Sequence, residues 1–292
     1  MLGEVGGGVQ VLQSVIHRNK YMLAGAVVGY LKDLLNETIT HTNTRHQFGQ
    51  PLSEFSLVRQ QLAKMSAKLY CLESMVYLTA GLADASKDAD IEVESVIVKQ
   101  FAAEVSELIV SGCLGLLGSQ VTLDTSKYQK YLRESLMLQG WQGTANINKC
   151  FVGISGLQHL AKHKPELARV RQPADGNLLA SVKHSYDNWG KKGDKIKYIY
   201  NLSTCVHPGL LPATQRMEWS AIKAYYVAQE TLTLHGGNVH VAEQYLERLS
   251  DIMTEVYSMV CATARASRSA TLGHDNSDLE FNTVIPLSLE SK

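Results

Sequence analysis

Proline, the residue least compatible with a helix interior, occurs only six times in 292 residues: Pro51, Pro165, Pro173, Pro208, Pro212 and Pro286. Each one inside a helix would cost about 3 kcal/mol through its fixed φ and missing backbone donor. The long stretches between them are therefore free to be helical, and their apolar residues recur at three- and four-residue spacing. Val11, Leu12, Val15, Ile16, Leu23, Val27, Leu31, Leu34 and Leu35 suit one helix from Val9 to about Thr44, ended by an interhelical turn at Gly49-Gln50-Pro51. Ser56 to about Ala85 repeats the pattern, and Val93 to about Leu117 carries Val96, Ile97, Phe101, Val105, Leu108 and Ile109. Shorter helices are expected over about Lys127–Leu138 and Ala145–Lys162. Short connections between long helices define an antiparallel bundle, so the fold class is all-α. A polar, proline-bearing break from Pro165 to Gly176 suggests a boundary. The expected organisation is a bundle over residues 1–164, a linker and irregular segment over 165–212, and a second helical domain over 213–292. Helices in that second domain are expected at about Thr214–His235 and Val239–Arg268.

Charge and composition exclude several classes. Lys and Arg total 28 and Asp and Glu total 28, so no global basic field points to nucleic acid. The five cysteines Cys71, Cys113, Cys150, Cys205 and Cys261 are scattered singly, which reads as free thiols, most of them core filler. No uninterrupted run of 18 apolar residues marks a membrane span. His159 and His163 stand four apart, but no carboxylate or third ligand accompanies them, so no metal site is expected. Gly6-Gly7-Gly8 lacks the preceding strand and the lysine of a phosphate loop and reads as a turn launching the first helix. Lys191, Lys192, Lys195 and Lys197 with Tyr198 and Tyr200 form a basic-aromatic cluster. It reads as a solvated loop, or as a contact for anionic headgroups.

Four segments together resemble the C-terminal half of the acyl-CoA dehydrogenases. They are Leu2-Gly3-Glu4-Val5-Gly6-Gly7-Gly8, Arg45-His46-Gln47-Phe48-Gly49, Leu132-Arg133, and Trp141-Gln142-Gly143-Thr144. The likeness covers about residues 2–162, and a chain that opens inside a family motif is expected to be truncated at its N-terminus. Ala242-Glu243-Gln244-Tyr245-Leu246 and Ala264-Arg265-Ala266-Ser267-Arg268-Ser269 resemble the extra helical domain of the very-long-chain branch. That branch includes a mitochondrial relative associated with complex I assembly. By resemblance, Arg45, Gln47, Phe48 and Thr144 inherit contacts to FAD across a dimer interface, with Arg45 near the pyrophosphate.

The departures from the family pattern carry the functional reading. The resemblance implies a catalytic glutamate at Gln142, the base that removes a proton next to the thioester carbonyl. A neutral amide has no lone pair that holds a proton near working pH. Some relatives carry that glutamate instead just before a substrate-side arginine, and the corresponding residues here are Asn19 and Lys20. The family segment Gln-x-x-Gly-Gly-x-Gly near the flavin is matched without gaps by Gly115-Leu116-Leu117-Gly118-Ser119-Gln120-Val121. The glutamine and two of the three glycines are replaced. Coordinated loss at several positions argues for natural decay rather than one engineered change. The chain is therefore expected to be a non-catalytic scaffold in mitochondrial respiratory complex I assembly, with no catalytic residue and FAD bound weakly or not at all. A homodimer on the matrix side of the inner membrane is expected, with complex I assembly factors as partners and a peripheral membrane contact through Lys191, Lys192, Lys195 and Lys197. The alternative is an FAD-dependent long-chain acyl-CoA dehydrogenase of fatty-acid β-oxidation, and a third reading is acyl-CoA binding without turnover.

Overall fold

The apolar spacing becomes eight α-helices among the described residues: α1 (Gly8–Thr44), α2 (Ser56–Ala85), α3 (Glu92–Leu117), α4 (Tyr128–Gly140), α5 (Ala145–His163), α6 (Leu211–His235), α7 (Glu243–Leu272) and α8 (Ser277–Glu290). The computed structural model describes residues 3–86, 89–163, 202–236 and 242–290, except for the side chains of Ser203 and of residues 287–290. The only strands among those residues are β1 (His46–Gln47) and β2 (Gln50–Pro51), a two-stranded antiparallel hairpin. The all-α expectation holds. Most of the 165–212 segment lies outside the described residues, as do Lys191, Lys192, Lys195 and Lys197 with Tyr198 and Tyr200.

Three boundaries differ from the sequence reading for physical reasons. At the Gly49-Gln50-Pro51 break the chain makes the β1–β2 hairpin rather than a simple turn. Pro212 does not precede α6 but lies in its first turn, where a missing N–H is harmless. Helix α8 was not expected; its interior Pro286 and short length hide it from a periodicity reading.

The chain forms two compact units, Met1–Asn148 and Lys149–Lys292. In the first, α3 is the axis. Nine consecutive residues from Ser95 to Ala103 are buried, which marks a helix covered all round rather than on one face. It packs chiefly on α1 and also on α2 and α4. By window-averaged hydropathy α3 is the one helix among the described residues apolar enough to cross a membrane, which counting uninterrupted runs missed. Half of that window is buried within the protein, the behaviour of a core helix. Burial on α1 follows Ala24, Val27, Val28, Leu31, Leu34 and Leu35. The first turns of α1 are different: Leu12 and Val15, counted above toward its apolar face, are more than half exposed, as is Val9.

The second unit is built on Leu157 and Leu160 of α5, Leu232 of α6, and Leu246 and Leu249 of α7. Glycine permits the closest approach here. A Cβ on Gly153 would stand 2.7 Å from the Leu246 carbonyl oxygen, so the backbones of α5 and α7 approach each other closely here. Lys149 reinforces the crossing with an ion pair to Asp251 at 2.8 Å. Helix α7 ends at Gly273, whose left-handed φ of 72° closes the cap by a bond from His274 N to Ser269 O. Cys71, Cys113 and Cys261 are buried, Cys205 is exposed, and all five cysteines are free thiols.

Two glycine substitutions should act in opposite directions. Gly153→Ala is expected to lower the unfolding free energy of the chain by about 1–3 kcal/mol, because backbone must move to admit a methyl group. Gly29→Ala, on an open face of α1 with nothing within 4 Å of the added carbon, should raise it by roughly 0.5–1 kcal/mol. Urea unfolding of the two variants checks both.

Candidate functional site

A lysine in the most buried stretch of α3 organises the site. Lys99 is 1% exposed, and an ammonium cannot be left there without an acceptor. Its Nζ donates to the Gly143 carbonyl oxygen at 2.9 Å, which draws the turn before α5 onto α3. One helical turn earlier, Ser95 ties α1 to α3: its Oγ accepts from Tyr21 N at 2.9 Å and donates to Arg18 O at 3.2 Å. That anchor sets Lys20, 2% exposed, toward the same turn. Lys20 Nζ donates to Asn148 Oδ1 at 2.7 Å, and Asn148 Nδ2 donates to Gly143 O at 2.9 Å. Two lysines from different helices and one buried asparagine thus close a hydrogen-bonded network on a single carbonyl.

The network holds an uncommon backbone. Gln142 has φ 55° and Gly143 φ 100°. Left-handed backbone costs a non-glycine residue roughly 1–2 kcal/mol, so the turn persists because its surroundings over-determine it. At Gly143 a side chain is excluded twice, by φ and by the Asn148 Oδ1 atom 3.2 Å from where its Cβ would lie. Gln142 Oε1 is buried with no hydrogen-bond partner among the described residues. Burial holds Lys20 to a pKa of about 8, with the charge of Lys99 adding to the shift, and burial alone brings Lys99 to about 8. His17 is also lowered, first by burial and then by Lys20.

Of the residues singled out from other segments of the sequence, the fold brings Lys20 to the Gln142–Gly143 turn, where it is bonded to Asn148. Asn19, one residue along α1, points elsewhere: its Nδ2 donates to Val15 O at 2.8 Å. It lines a cleft of about 350 Å³ with Ser14, Arg18, Asp90 and Glu92. Glu134, the carboxylate nearest in sequence, pairs with Lys130 on a partly exposed face of α4. Sequence reasoning missed Lys99, Asn148 and Ser95. A charged residue inside the apolar run of α3 was a readable signal for Lys99; nothing local marked Asn148.

Arg45, Gln47 and Phe48 form a second, exposed cluster in the β1–β2 hairpin. Phe48 and Gly49 are its two loop residues, with φ 52° and 84°, the positive pair that a tight two-residue hairpin needs. Phe48 is 94% exposed, so an aromatic ring is held outward on strained backbone with only an edge contact to Phe55. Phe48 and Gln142 are the only non-glycine residues with positive φ among the described ones, and they fall in the two motifs singled out above. Arg45, at the C-terminal end of α1, is exposed and has no side-chain partner among the described residues. The hairpin therefore fits a phosphate-bearing ligand, with Arg45 and Gln47 as donors. The stretch after α3 fits less well: Ser119 and Val121 put side chains where the family pattern has glycine. Thr144 is exposed, and its carbonyl accepts from Asn148 N at 3.0 Å as α5 begins.

Among the described residues no group of three His, Cys, Asp or Glu side chains is placed to hold a metal. His159 and His163 stack on each other at 4.6 Å.

An all-α bundle with this turn at the start of its fifth helix belongs to a recognised class. Residues 6–155 match the family model described as the acyl-CoA dehydrogenase C-terminal domain. The chain belongs to the acyl-CoA dehydrogenase family. It is 26% identical over 283 residues to the mitochondrial very long-chain specific acyl-CoA dehydrogenase of Bos taurus, covering 96% of this chain and 42% of that protein. To the Homo sapiens protein it is 27% identical over 284 residues. The chain thus spans less than half the length of these curated relatives. A Bacillus anthracis acyl-CoA dehydrogenase solved in complex with FAD shares the fold with a TM-score of 0.80 at 21% identity, over 99% of this chain and 49% of that one. Family members bind FAD.

Two measurements test this geometry. Both ammoniums are held near 8 in the fold, against about 10.4 in an unfolded chain. Between those values the unfolded chain binds more protons, so stability rises with pH; below about pH 8 the full burial penalty applies. Unfolding free energy should therefore increase from about pH 7.5 to 9.5, and Lys20→Met or Lys99→Met should flatten that rise. Because the lysines interact, the midpoint belongs to the pair. At the hairpin, Phe48→Asn should stabilise the chain by roughly 0.5–1 kcal/mol, since Asn-Gly suits the turn and little packing is lost. Thermal or urea unfolding reads the change.

Proposed function

We propose that this chain is a non-catalytic member of its family that serves as a scaffold in mitochondrial respiratory complex I assembly. One observation carries the first half of the reading. The residue at the base position is an amide, Gln142, whose turn is locked by Lys20, Lys99 and Asn148, with no carboxylate bonded to the network among the described residues. Asn19, the alternative base position, is committed to its own helix. Loss of a general base alone costs about 10²–10⁴-fold in rate. The side chains of Ser119 and Val121 support weak or absent FAD binding, while the uncommitted Arg45 supports a retained contact surface.

The second half rests on the resemblance of residues 242–246 and 264–269 to the very-long-chain branch and on the mitochondrial description of the bovine and human relatives. A mitochondrial location on the matrix side of the inner membrane accords with both. Long helices with exposed apolar positions on α1 and α4 offer rigid surfaces for a second copy or for assembly factors. The enzyme reading, an FAD-dependent long-chain acyl-CoA dehydrogenase, is favoured by one feature, the exposed Arg45 on the strained hairpin.

Purification of the full-length protein from mitochondria separates the two. The scaffold reading expects co-purification with complex I assembly factors, no visible flavin absorbance, and no reduction of an electron acceptor on adding palmitoyl-CoA. A yellow protein that turns over palmitoyl-CoA would establish the enzyme reading instead.

A further inference from the structure

Helix α6 turns one face to its own unit and leaves the other open. Met217, Thr231 and Leu232 are buried where α6 packs on α7 and α8. On the opposite side Trp219, Val227 and Leu234 are 51%, 40% and 38% exposed, with Tyr226 beside them at 38%. Arg216, Lys223 and Glu230 are exposed on the same side. At 100° per residue these charges and the three apolar residues share an arc of about 80°, so they form one straight strip along the helix. The strip is symmetric in chemical character. Outward from Lys223 it runs apolar, charged, apolar in both directions, and its two outer charges, Arg216 and Glu230, are opposite.

We propose that this face docks on the same face of a second copy of the chain, with the two α6 helices antiparallel about a two-fold axis at Lys223. In such an isologous contact each residue meets its symmetric position on the other copy. Trp219 then meets Val227 of the other copy, the exposed Pro212 meets Leu234, and Arg216 meets Glu230, each pair occurring twice. A parallel, in-register pair would instead set arginine on arginine and glutamate on glutamate. Like charges meet only at the axis, where each Lys223 ammonium is drawn over its own Trp219 ring, 5.2 Å from the centroid. One helix pair buries less than a standard interface, so the association is weak and shows at high protein concentration. This surface belongs to the second unit and goes beyond the scaffold reading: it holds whether or not the chain turns over substrate.

Charge reversal in the full chain, read by sedimentation velocity over a range of high micromolar concentrations, tests the proposal. The unmodified chain should gain mass as its concentration rises. Arg216→Glu and Glu230→Arg each place like charges at both symmetric pairs, and each should weaken the association by about tenfold or more. An equimolar mixture of the two variants restores opposite charges at both pairs and should recover the original association. The chain carrying both substitutions should do the same. Recovery on mixing cannot come from a variant that fails to fold, so the mixture separates a lost contact from a lost structure. A mass that stays constant with concentration would leave the face to a partner of another kind and overturn the proposal. Single variants that associate as the unmodified chain does, or a mixture as weak as its components, would overturn it too.

Discussion

The burial of two ammonium groups is the constraint on which the first unit depends. Lys99 sits where α3 is covered on every side, and Lys20 faces it from α1. Neither can be hydrated, so each needs an acceptor supplied by the chain. The Gly143 carbonyl and the Asn148 side chain supply them, and the turn before α5 takes its place as a consequence. The same bonds explain why Gln142 tolerates left-handed backbone. Strain there is sustained by a network that would lose buried partners if the turn relaxed.

That arrangement gives the site a chemical character beyond the loss of one carboxylate. Proton removal from carbon needs a base of tuned basicity, aimed at the substrate. Here an amide occupies the position, Lys99 donates to the adjoining Gly143 carbonyl and Lys20 to the Asn148 side chain, and Asn19, at the alternative base position, is bonded within its own helix. The hairpin tells a different story. Phe48 is held outward, and Arg45 is exposed with no side-chain partner among the described residues, so the hairpin that the resemblance links to FAD presents an open surface. The proposed use of the family fold for binding rather than for turnover accords with both.

Much of the fold was legible because helix periodicity is local. Positions for α1 to α5 followed from apolar spacing and from where proline and glycine fall. Helix α8 was lost because Pro286 lies within its short span, and Pro212 misled because a proline in a first turn looks like a boundary. Asn19, Lys20, Arg45 and Gln142 were found through motif resemblance. The partners that give Gln142 its environment were not, because Lys99 and Asn148 matter through contacts 44 and 128 residues apart in sequence. Burial of a lysine can be suspected from an apolar run; which carbonyl receives it cannot be read from spacing.

The central claim is that no group at position 142 removes a proton from substrate, and isotope exchange tests this without requiring a flavin redox step. The full-length protein, supplied with FAD, would be incubated with palmitoyl-CoA in heavy water, and deuterium at the carbon next to the thioester would be followed by mass spectrometry. The account predicts exchange no faster than in buffer alone. Enzyme-dependent incorporation of deuterium at that carbon would contradict it.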